Sequence, residues 1–313
     1  MEEGTSDQLT SHIECSASTR SNPTLDLQPT AHSLARRALS TLPHPTDYHK
    51  RSIAHDRDFL MSSPFLTAAL DAARAAAEVI GRYYRKNLSV TVKADKSPVT
   101  QADVETEQVI RKILSERFPT HGFYGEETGS NGLDNEYLWL VDPIDGTKAF
   151  VREYPLFSTQ IALMHRGKLI VGVSCAPMYG EIACAEVGVG AWLNDKRIGV
   201  STVDTIEGAA ISAGNLKTLA LSDKWSKYGA LVARSHRIRG YGDFLHYHLL
   251  AAGKIDVVIE SDVNILDIAA LSVIVEAAGG TFTTLDGKPI GLDTTTVLAS
   301  NGKLHGPVAD ALA

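Results

Sequence analysis

The chain has 313 residues, of which 44% are hydrophobic and 21% charged, as is typical of a globular protein with one large domain or two closely packed ones. Its net charge of -7 argues against a nucleic-acid partner, and no apolar run reaches the roughly 20 residues that span a membrane. Only three cysteines occur, in neither a CxxC pair nor a zinc spacing, which favours a reducing cytoplasm.

Residues 1–60 differ in composition from the rest of the chain. They are rich in Ser, Thr, Pro, His and Arg, and no apolar period persists in them. A signal peptide would need an apolar segment, and a transit peptide would be poor in acids, whereas Glu2 and Glu3 stand at the start. We interpret this segment as a disordered extension, or as the result of too early a start codon with Met61 as the true start.

Organised sequence follows, and we divide it into an N-terminal α+β part (61–203) and a C-terminal α/β part that completes the site (204–313). Apolar spacing predicts an amphipathic helix over 64–85, then a short strand at 90–93 and a polar loop over 94–99. Thr100 to Asp103 fits a capping box that opens a second helix. Asp103 is therefore either a partner in the cap or a base that points into a site.

Adjacent acids, Glu126 and Glu127, follow a short predicted strand at Phe123 and Tyr124. Alone, such a pair before a glycine-containing loop is typical of a solvated turn. If this strand and the next end at the same edge of a sheet, however, their acids can form one site, as in open α/β sheets.

The central motif of the chain occupies residues 138–150. A buried strand is predicted over 137–141, and it ends in Asp142 and Asp145, separated by Pro-Ile. Two buried carboxylates this close would repel each other unless a cation were present. Gly146 permits close backbone approach and Thr147 adds a hydroxyl and an amide, which indicates a divalent-metal site beside a phosphate site. The alternative is a turn after a strand, because Asp-Pro and Asp-Gly are common turn pairs.

An antiparallel meander, unlike a Rossmann unit, is predicted next, with strands at 159–163, 169–173, 181–186, 188–193 and 198–201. The C-terminal part is predicted to have strands at 209–213, 229–233, 257–260, 282–284 and 297–299, and a helix at 245–252. A further helix starts at Asn264 and stops at a Gly pair, with Asp267 in its first turn. Asp267 can be a cap partner only, or a site residue.

Three ordered motifs resemble the inositol monophosphatase family of metal-dependent phosphatases. They are Gly125-Glu-Glu, Trp139-Leu-Val-Asp-Pro-Ile-Asp-Gly-Thr, and Asp267-Ile-Ala-Ala followed by Glu276-Ala-Ala-Gly-Gly, and the similarity spans 65–301. The resemblance implies a layered α-β-α-β-α fold with two sheets, commonly a homodimer, Li+ sensitivity and action on a small phosphorylated metabolite. It also implies roughly two or three Mg2+ ions per site, with Mn2+ as a substitute.

The resemblance assigns roles by position in this sequence. The implied metal ligands all offer oxygen, which suits Mg2+ better than zinc: Glu126, Asp142, Asp145, Asp267 and the carbonyl of Ile144. Glu127 would support this site without contacting the metal. Asp103 with Thr147 would orient the attacking water, and the amides of Gly146 and Thr147 would hold phosphate.

Within the family, the segment that follows the central motif is most similar to the histidinol-phosphate phosphatase branch. Asp243 and Glu260 would then contact the cationic substrate, although Asp243 can also be read as a helix cap. Leu266 stands where the family usually has an aromatic residue, which leaves the pocket wall altered. The alternatives are an inositol-1-monophosphatase, then a 3'-phosphoadenosine 5'-phosphate phosphatase, and a regulatory partner-binding protein on the same scaffold.

Overall fold

The computed structural model describes residues 63–86, 90–92 and 98–313. The predicted extension (1–60), Met61 and residues 93–97 of the predicted strand and loop lie outside the described residues. The helices in the described ranges lack the combination of length and apolar character that a bilayer crossing requires.

The helices of the described residues are α1 (Pro64–Tyr83), α2 (Gln101–Arg117), α3 (Thr147–Val151), α4 (Lys217–Ala220), α5 (Lys224–Arg234), α6 (Asp243–Ala251), α7 (Ile265–Ala277) and α8 (His305–Leu312). The strands are β1 (Val90–Val92), β2 (Pro98–Thr100), β3 (Gly122–Gly125), β4 (Ser130–Asn131), β5 (Tyr137–Asp145), β6 (Ser158–His165), β7 (Lys168–Ala176), β8 (Glu181–Glu186), β9 (Gly190–Leu193), β10 (Lys196–Arg197), β11 (Ala210–Gly214), β12 (Arg237–Arg239), β13 (Val257–Ser261), β14 (Thr281–Thr283) and β15 (Thr296–Ser300).

The larger sheet has eight strands in the order β10-β9-β8-β7-β6-β5-β3-β4. Strands β5 to β10 pair antiparallel with their sequence neighbours, so the predicted meander is confirmed. The strand predicted at 198–201 is wrong. The amide of Val200 instead donates to the carbonyl of Ala278 at the end of α7, which leads the chain out of the sheet.

The smaller sheet has five strands in the order β12-β11-β13-β15-β14, and β1 pairs with β2 in a separate two-stranded ribbon. Pro98 and Val99, expected in a loop, therefore lie in a strand, paired antiparallel with Val92 and Thr91. The order of the small sheet depends on parallel pairing of β11 with both β12 and β13.

Alternation along β5 shows how the layers form. Trp139 and Val141 belong to the core beneath α1 and α2, whereas Leu138 and Leu140 face the core around α6 and α7, as the two-residue period of a strand requires. α7 is apolar on all sides because it is buried between the two sheets. A third core joins the small sheet to α4, α5 and α8. The α-β-α-β-α layering with two sheets is thus confirmed.

Residues 229–233 were expected to form a strand, and this prediction is wrong. They lie in α5, whose buried side chains Tyr228 and Leu231 are three residues apart, on one helical face. A five-residue apolar run fits both the helical period and the strand period, so the packing of α5 against α8 decides that this segment is a helix. The division at residue 203 stays a prediction, although the large sheet lies wholly before it and the small sheet wholly after it.

Candidate active site

The acids of the first two motifs meet because β3 and β5 run side by side in the same direction. Gly125 pairs with Val141 in this parallel register, so Glu126 and Asp142 follow at the same sheet edge. Burial raises the pKa of Asp142 most, and the charge of Glu126 and a hydrogen bond to it raise that pKa further. The structure thus brings these two acids together at one edge of the sheet.

β5 runs through the central motif instead of stopping at Val141. Asp142 pairs with Gln160 and Asp145 with Ser158 on β6, so one extra residue is accommodated between them. Such a bulge turns side chains that alternation would separate towards the same region. The backbone amide of Ile144 donates to Asp142 Oδ1 at 3.0 Å, which fixes the first carboxyl within the bulge.

Asp267 joins this group from the other side of the molecule. Asn264 caps α7, and its amide and side-chain Nδ2 each donate to an oxygen of Asp267 at 2.8 Å. One oxygen from each of Asp142, Asp145 and Asp267 lies within 4.8 Å of the others, an arrangement that could hold a metal ion. Asp267 therefore completes the cap and also lies with the other acids, and its role as a site residue stays a prediction.

Burial is the main cause of the unusual protonation of these acids. It raises the pKa of Asp142 and of Asp145 well above the ordinary value, and the neighbouring negative charges add to both shifts. The pKa of Asp267 is raised to about 7, again chiefly by burial. Three acids that repel each other inside the protein are a suitable donor set for a divalent cation, which would restore their ionised form.

Asp103 and Thr147 stand next to this group. Asp103 Oδ2 accepts hydrogen bonds from the amide and hydroxyl of Thr100, so the predicted capping box is confirmed. Its other oxygen lies 3.3 Å from Thr147 Oγ1, which is also 3.0 Å from the carbonyl of Ile144. Burial raises the pKa of Asp103. Its carboxyl thus serves the helix with one oxygen and the candidate site with the other.

Gly146 makes the turn between β5 and α3 with φ +91°. A Cβ atom there would lie 2.6 Å from the carbonyl oxygen of Leu156, so this conformation and this space both require glycine. Within the described residues no hydrogen bond occupies the amides of Gly146 and Thr147.

Sequence reasoning missed Glu107, a buried acid on α2. Its two oxygens accept hydrogen bonds from the amide of Glu127 at 2.7 Å and from the amide of Thr128 at 2.6 Å, and also from the Thr128 hydroxyl. Arg111 Nη1 donates to Thr128 Oγ1 at 2.9 Å. The signal was available, because Asp103, Glu107 and Arg111 recur every four residues along one face of the helix.

The second half supplies further acids near the candidate metal site. Asp243 is the first residue of α6, and the N-cap position before it is Gly242. No side chain caps this helix end, so Asp243 is not the helix cap. Burial and the charge of Glu260 raise the pKa of Asp243, while His246 and then Lys148 lower it. After burial and the charge of Asp267, the charges of Asp243 and Glu260 also raise the pKa of Asp145, so the two predicted substrate contacts are near enough to Asp145 to interact with it electrostatically.

Two neighbours of Glu260 were not anticipated from the sequence. Tyr247 Oη donates to Glu260 Oε2 at 2.7 Å, and His246 Nε2 lies 3.1 Å from the same oxygen. Burial and the charge of Glu260 raise the pKa of Tyr247 well above its ordinary value, so its hydroxyl keeps its proton. Both residues lie on α6, whose pattern shows an apolar helix but not which polar group it meets.

Comparison with known proteins agrees with this geometry. The profile of the inositol monophosphatase family matches residues 61–313. The histidinol-phosphatase of Mycobacterium tuberculosis is 37% identical over 80% of this chain and 99% of its own, and the inositol-1-monophosphatase of Synechocystis is 32% identical over 80% and 88%. The crystal structure of the extragenic suppressor protein SuhB of Bartonella henselae superimposes with a TM-score of 0.74 and 31% identity, covering 80% of this chain and 98% of that one. The chain therefore belongs to the inositol monophosphatase family, a family of metal-dependent phosphoric monoester hydrolases.

Proposed function

We propose that this enzyme hydrolyses L-histidinol phosphate to L-histidinol and phosphate, with Mg2+ as its cofactor. The observation that carries the proposal is the pair of partly or fully buried acids, Asp243 and Glu260, next to the metal-site acids. A substrate that brings positive charge to this region offsets charge that would otherwise be repulsive. Several relatives are named histidinol-phosphatases.

The donor set fits magnesium. We expect the metal to be held by the oxygens of Glu126, Asp142, Asp145 and Asp267, together with the carbonyl of Ile144, and no nitrogen or sulfur ligand is among them. Glu126 lies outside the set of three acids within 4.8 Å and adjoins it through Asp142. Bound Mg2+ would supply electrostatic stabilisation of the charge that develops on the phosphoryl oxygens.

The protein's own groups would position the nucleophilic water. Thr147 Oγ1 can accept a hydrogen bond from the water while it donates its own hydrogen to Asp103 Oδ1. The proton released from the water would then move towards Asp103, whose raised pKa suits it to receive one. The unoccupied amides of Gly146 and Thr147 would bind the phosphate oxygens.

Glu107 would act on the site through the backbone of the loop that carries the acids. It holds the amides of Glu127 and Thr128, directly after the proposed ligand Glu126. Glu127 itself we propose as a supporting acid rather than a ligand. The position of Glu126 would therefore depend on α2 as well as on β3.

The second candidate function is inositol monophosphate hydrolysis. It is favoured by the relative of that name, and by the fact that a carboxyl such as that of Glu260 can also accept a hydrogen bond from a sugar hydroxyl. Asp243 discriminates between the two, because a second acid suits a cation better than a neutral ring. A purely regulatory role would not require the assembled acids.

One substrate panel tests the proposal. Phosphate release would be measured under three conditions: with Mg2+, with Mg2+ plus Li+, and after removal of metal by EDTA. The esters in the panel are histidinol phosphate, inositol 1-phosphate, 3'-phosphoadenosine 5'-phosphate and fructose 1,6-bisphosphate. We expect kcat/KM for histidinol phosphate to exceed the others by at least about tenfold, since a desolvated charge pair is worth about 1.4 kcal/mol or more. Equal values across the panel would remove the substrate assignment, and hydrolysis that survives EDTA would remove the metal.

We further propose that the enzyme is a cytoplasmic homodimer and that Li+ inhibits it, as its resemblance to the inositol monophosphatase family implies. The described cysteines, Cys175 and Cys184, are both buried and unpaired, and burial raises the pKa of each thiol to about 12, so these thiols are inert and suit a reducing compartment. Light scattering coupled to size exclusion measures the oligomeric state directly.

A further inference from the structure

Glu260 uses its two carboxyl oxygens differently. Oε2 accepts the hydroxyl of Tyr247 at 2.7 Å and lies 3.1 Å from His246 Nε2. Oε1 accepts no hydrogen bond from any described residue. It lies over Gly214 of the neighbouring strand β11, where a Cβ atom would come within 2.6 Å of it. One oxygen is thus held by the protein, and the other has no hydrogen-bond partner among the described residues.

The other nitrogen of His246 continues this network. Ser212 Oγ lies 3.3 Å from His246 Nδ1 and accepts the backbone amide of Tyr241 at 3.2 Å. The serine hydroxyl has one hydrogen and no other acceptor among the described residues, so it donates that hydrogen to Nδ1. His246 then carries its own hydrogen on Nε2 and donates it to Glu260. Every donor has an acceptor in this arrangement.

The two ends of the network lead to the two acids of the proposed substrate pocket. One end is Glu260 on β13. The other is Tyr241, two residues before Asp243, in the turn where Asp243 has φ +45°. His246 and Ser212 are both fully buried between them. Neither side chain therefore serves to hydrate the surface. An apolar residue could fill the volume of His246, but it could not donate a hydrogen bond to Glu260.

We propose that His246, supported by Ser212, is a positioning residue for substrate specificity: it fixes Glu260 so that Oε1 faces the group attached to the phosphate. The inference rests on the proposed function only in taking that group to be cationic. It makes no use of the metal or of the proton transfer at Asp103. His246 would therefore govern which ester is chosen and not how the phosphate is released.

Comparison of two esters tests the inference. Histidinol phosphate carries a cation, and 4-nitrophenyl phosphate does not. In His246→Leu, we expect the ratio of kcat/KM for the first ester to that for the second to fall on the order of tenfold, mainly through KM, because the hydrogen bond to a charged group is lost. His246→Gln should restore most of the ratio, because the glutamine amide can donate to Glu260 from nearly the same place.

The matched control is His248→Leu. His248 is buried on the same helix but faces away from the site, with its ring nitrogens 3.0 Å from Glu181 Oε2 and 2.9 Å from Ser174 Oγ. We expect this variant to lose stability without a change in the ratio. A ratio that falls equally in both histidine variants, or in neither, would overturn the inference.

A double-mutant cycle separates this inference from the proposed function. If His246 acts through Glu260, then His246→Leu should change the ratio less than about twofold when Glu260→Gln is already present. Additive effects would refute the positioning role. Should the wild-type enzyme prefer inositol 1-phosphate, the substrate proposal fails, and the same cycle with that ester still tests His246. Ser212→Ala, which removes no ring, covers the case in which His246→Leu does not fold.

Discussion

The carboxyl of Asp145 lies among the charges of Asp267, Asp243 and Glu260, and burial together with these charges raises its pKa. Its hydrogen-bond support comes from Ser158 Oγ, 3.4 Å away, and from the side chain of Gln160, whose lowering of the pKa is smaller than the rise that burial and these charges cause. An acid in such surroundings destabilises the folded chain unless something binds it. Functional residues commonly lower stability in this way, and the proposed metal site accounts for the unfavourable position of this acid.

Replacement of Asp145 by Asn separates these two effects. We expect Asp145→Asn to lower phosphate release by about two orders of magnitude or more, because a proposed metal ligand is lost. The melting temperature of the metal-free variant should equal or exceed that of the wild type, because like charges are no longer forced together. Asp134→Asn, at an exposed position, is the control and should change neither. Near-normal turnover in Asp145→Asn would exclude it as a ligand.

The packing of α7 against the large sheet determines where Asp267 stands. Gly172 on β7 faces α7 so closely that a Cβ atom would collide with the carbonyl oxygen of Ala270 and reach 3.0 Å from the side chain of Val273. A larger residue at 172 must therefore push the helix away from the sheet. Asp267, in the first turn of that helix, would move away from Asp142 and Asp145, which belong to the sheet.

We accordingly expect Gly172→Ala to lower the free energy of unfolding by about 1–3 kcal/mol and to weaken metal binding. Titration of activity with Mg2+ should show a higher half-saturating concentration. Gly229→Ala is the matched control, because Gly229 lies in a helix with open space around it, and alanine there should be neutral or stabilise by about 0.5–1 kcal/mol. Unchanged Mg2+ dependence in a destabilised Gly172→Ala would contradict the link between packing and site.

Glu107 on α2 holds the loop after β3 through hydrogen bonds, and its replacement should affect both stability and metal binding. Glu107→Ala removes the acceptor for two backbone amides and one hydroxyl, so we expect a loss of about 1–3 kcal/mol in unfolding free energy and a raised Mg2+ requirement. Glu116→Ala, exposed on the same helix, should have little effect on either quantity. If Glu107→Ala loses stability but keeps the Mg2+ requirement, the loop does not depend on α2 for its placement.

The elements explain which parts of the site could be predicted from the sequence. The positions of Glu126 and Asp267 were predictable because one follows a strand and the other begins a helix, and Asp142 was found through the Asp-Pro-Ile-Asp motif, so all three rest on local features of sequence. The spacing of Glu107 from Asp103 and Arg111 marks the helix face but not the partner 20 residues away, and His246 carried no such signal, with its partner 14 residues away, because spacing does not show which buried polar groups meet. The strand predicted at 229–233 failed for a related reason, since packing against α8 selects between two periods.

At the scale of the molecule, the proposed site draws on both halves of the chain. The large sheet contributes Asp142 and Asp145, and Glu126 directly follows its strand β3. α7 contributes Asp267, and Glu260 comes from the small sheet. A cation bound by these acids would therefore hold together layers that are far apart in sequence. Metal binding should accordingly stabilise the whole fold.

The pH dependence of stability tests this coupling. The pKa of Asp267 is raised from 3.8 to about 7. The protonated carboxyl therefore contributes fully to stability below about pH 4, and this contribution is lost as the pH rises through about 7. The pKa values of Asp142 and Asp145 are also raised. We expect the melting temperature of the EDTA-treated protein to fall between about pH 5 and about pH 8. Mg2+ should reverse that fall at the higher pH, because ionised acids bind it, with a gain of about 2.7 kcal/mol at a hundredfold excess over Kd. The Asp145→Asn variant should show a smaller response to Mg2+. Stabilisation by Mg2+ that is greater at the lower pH would show that these acids do not bind the metal.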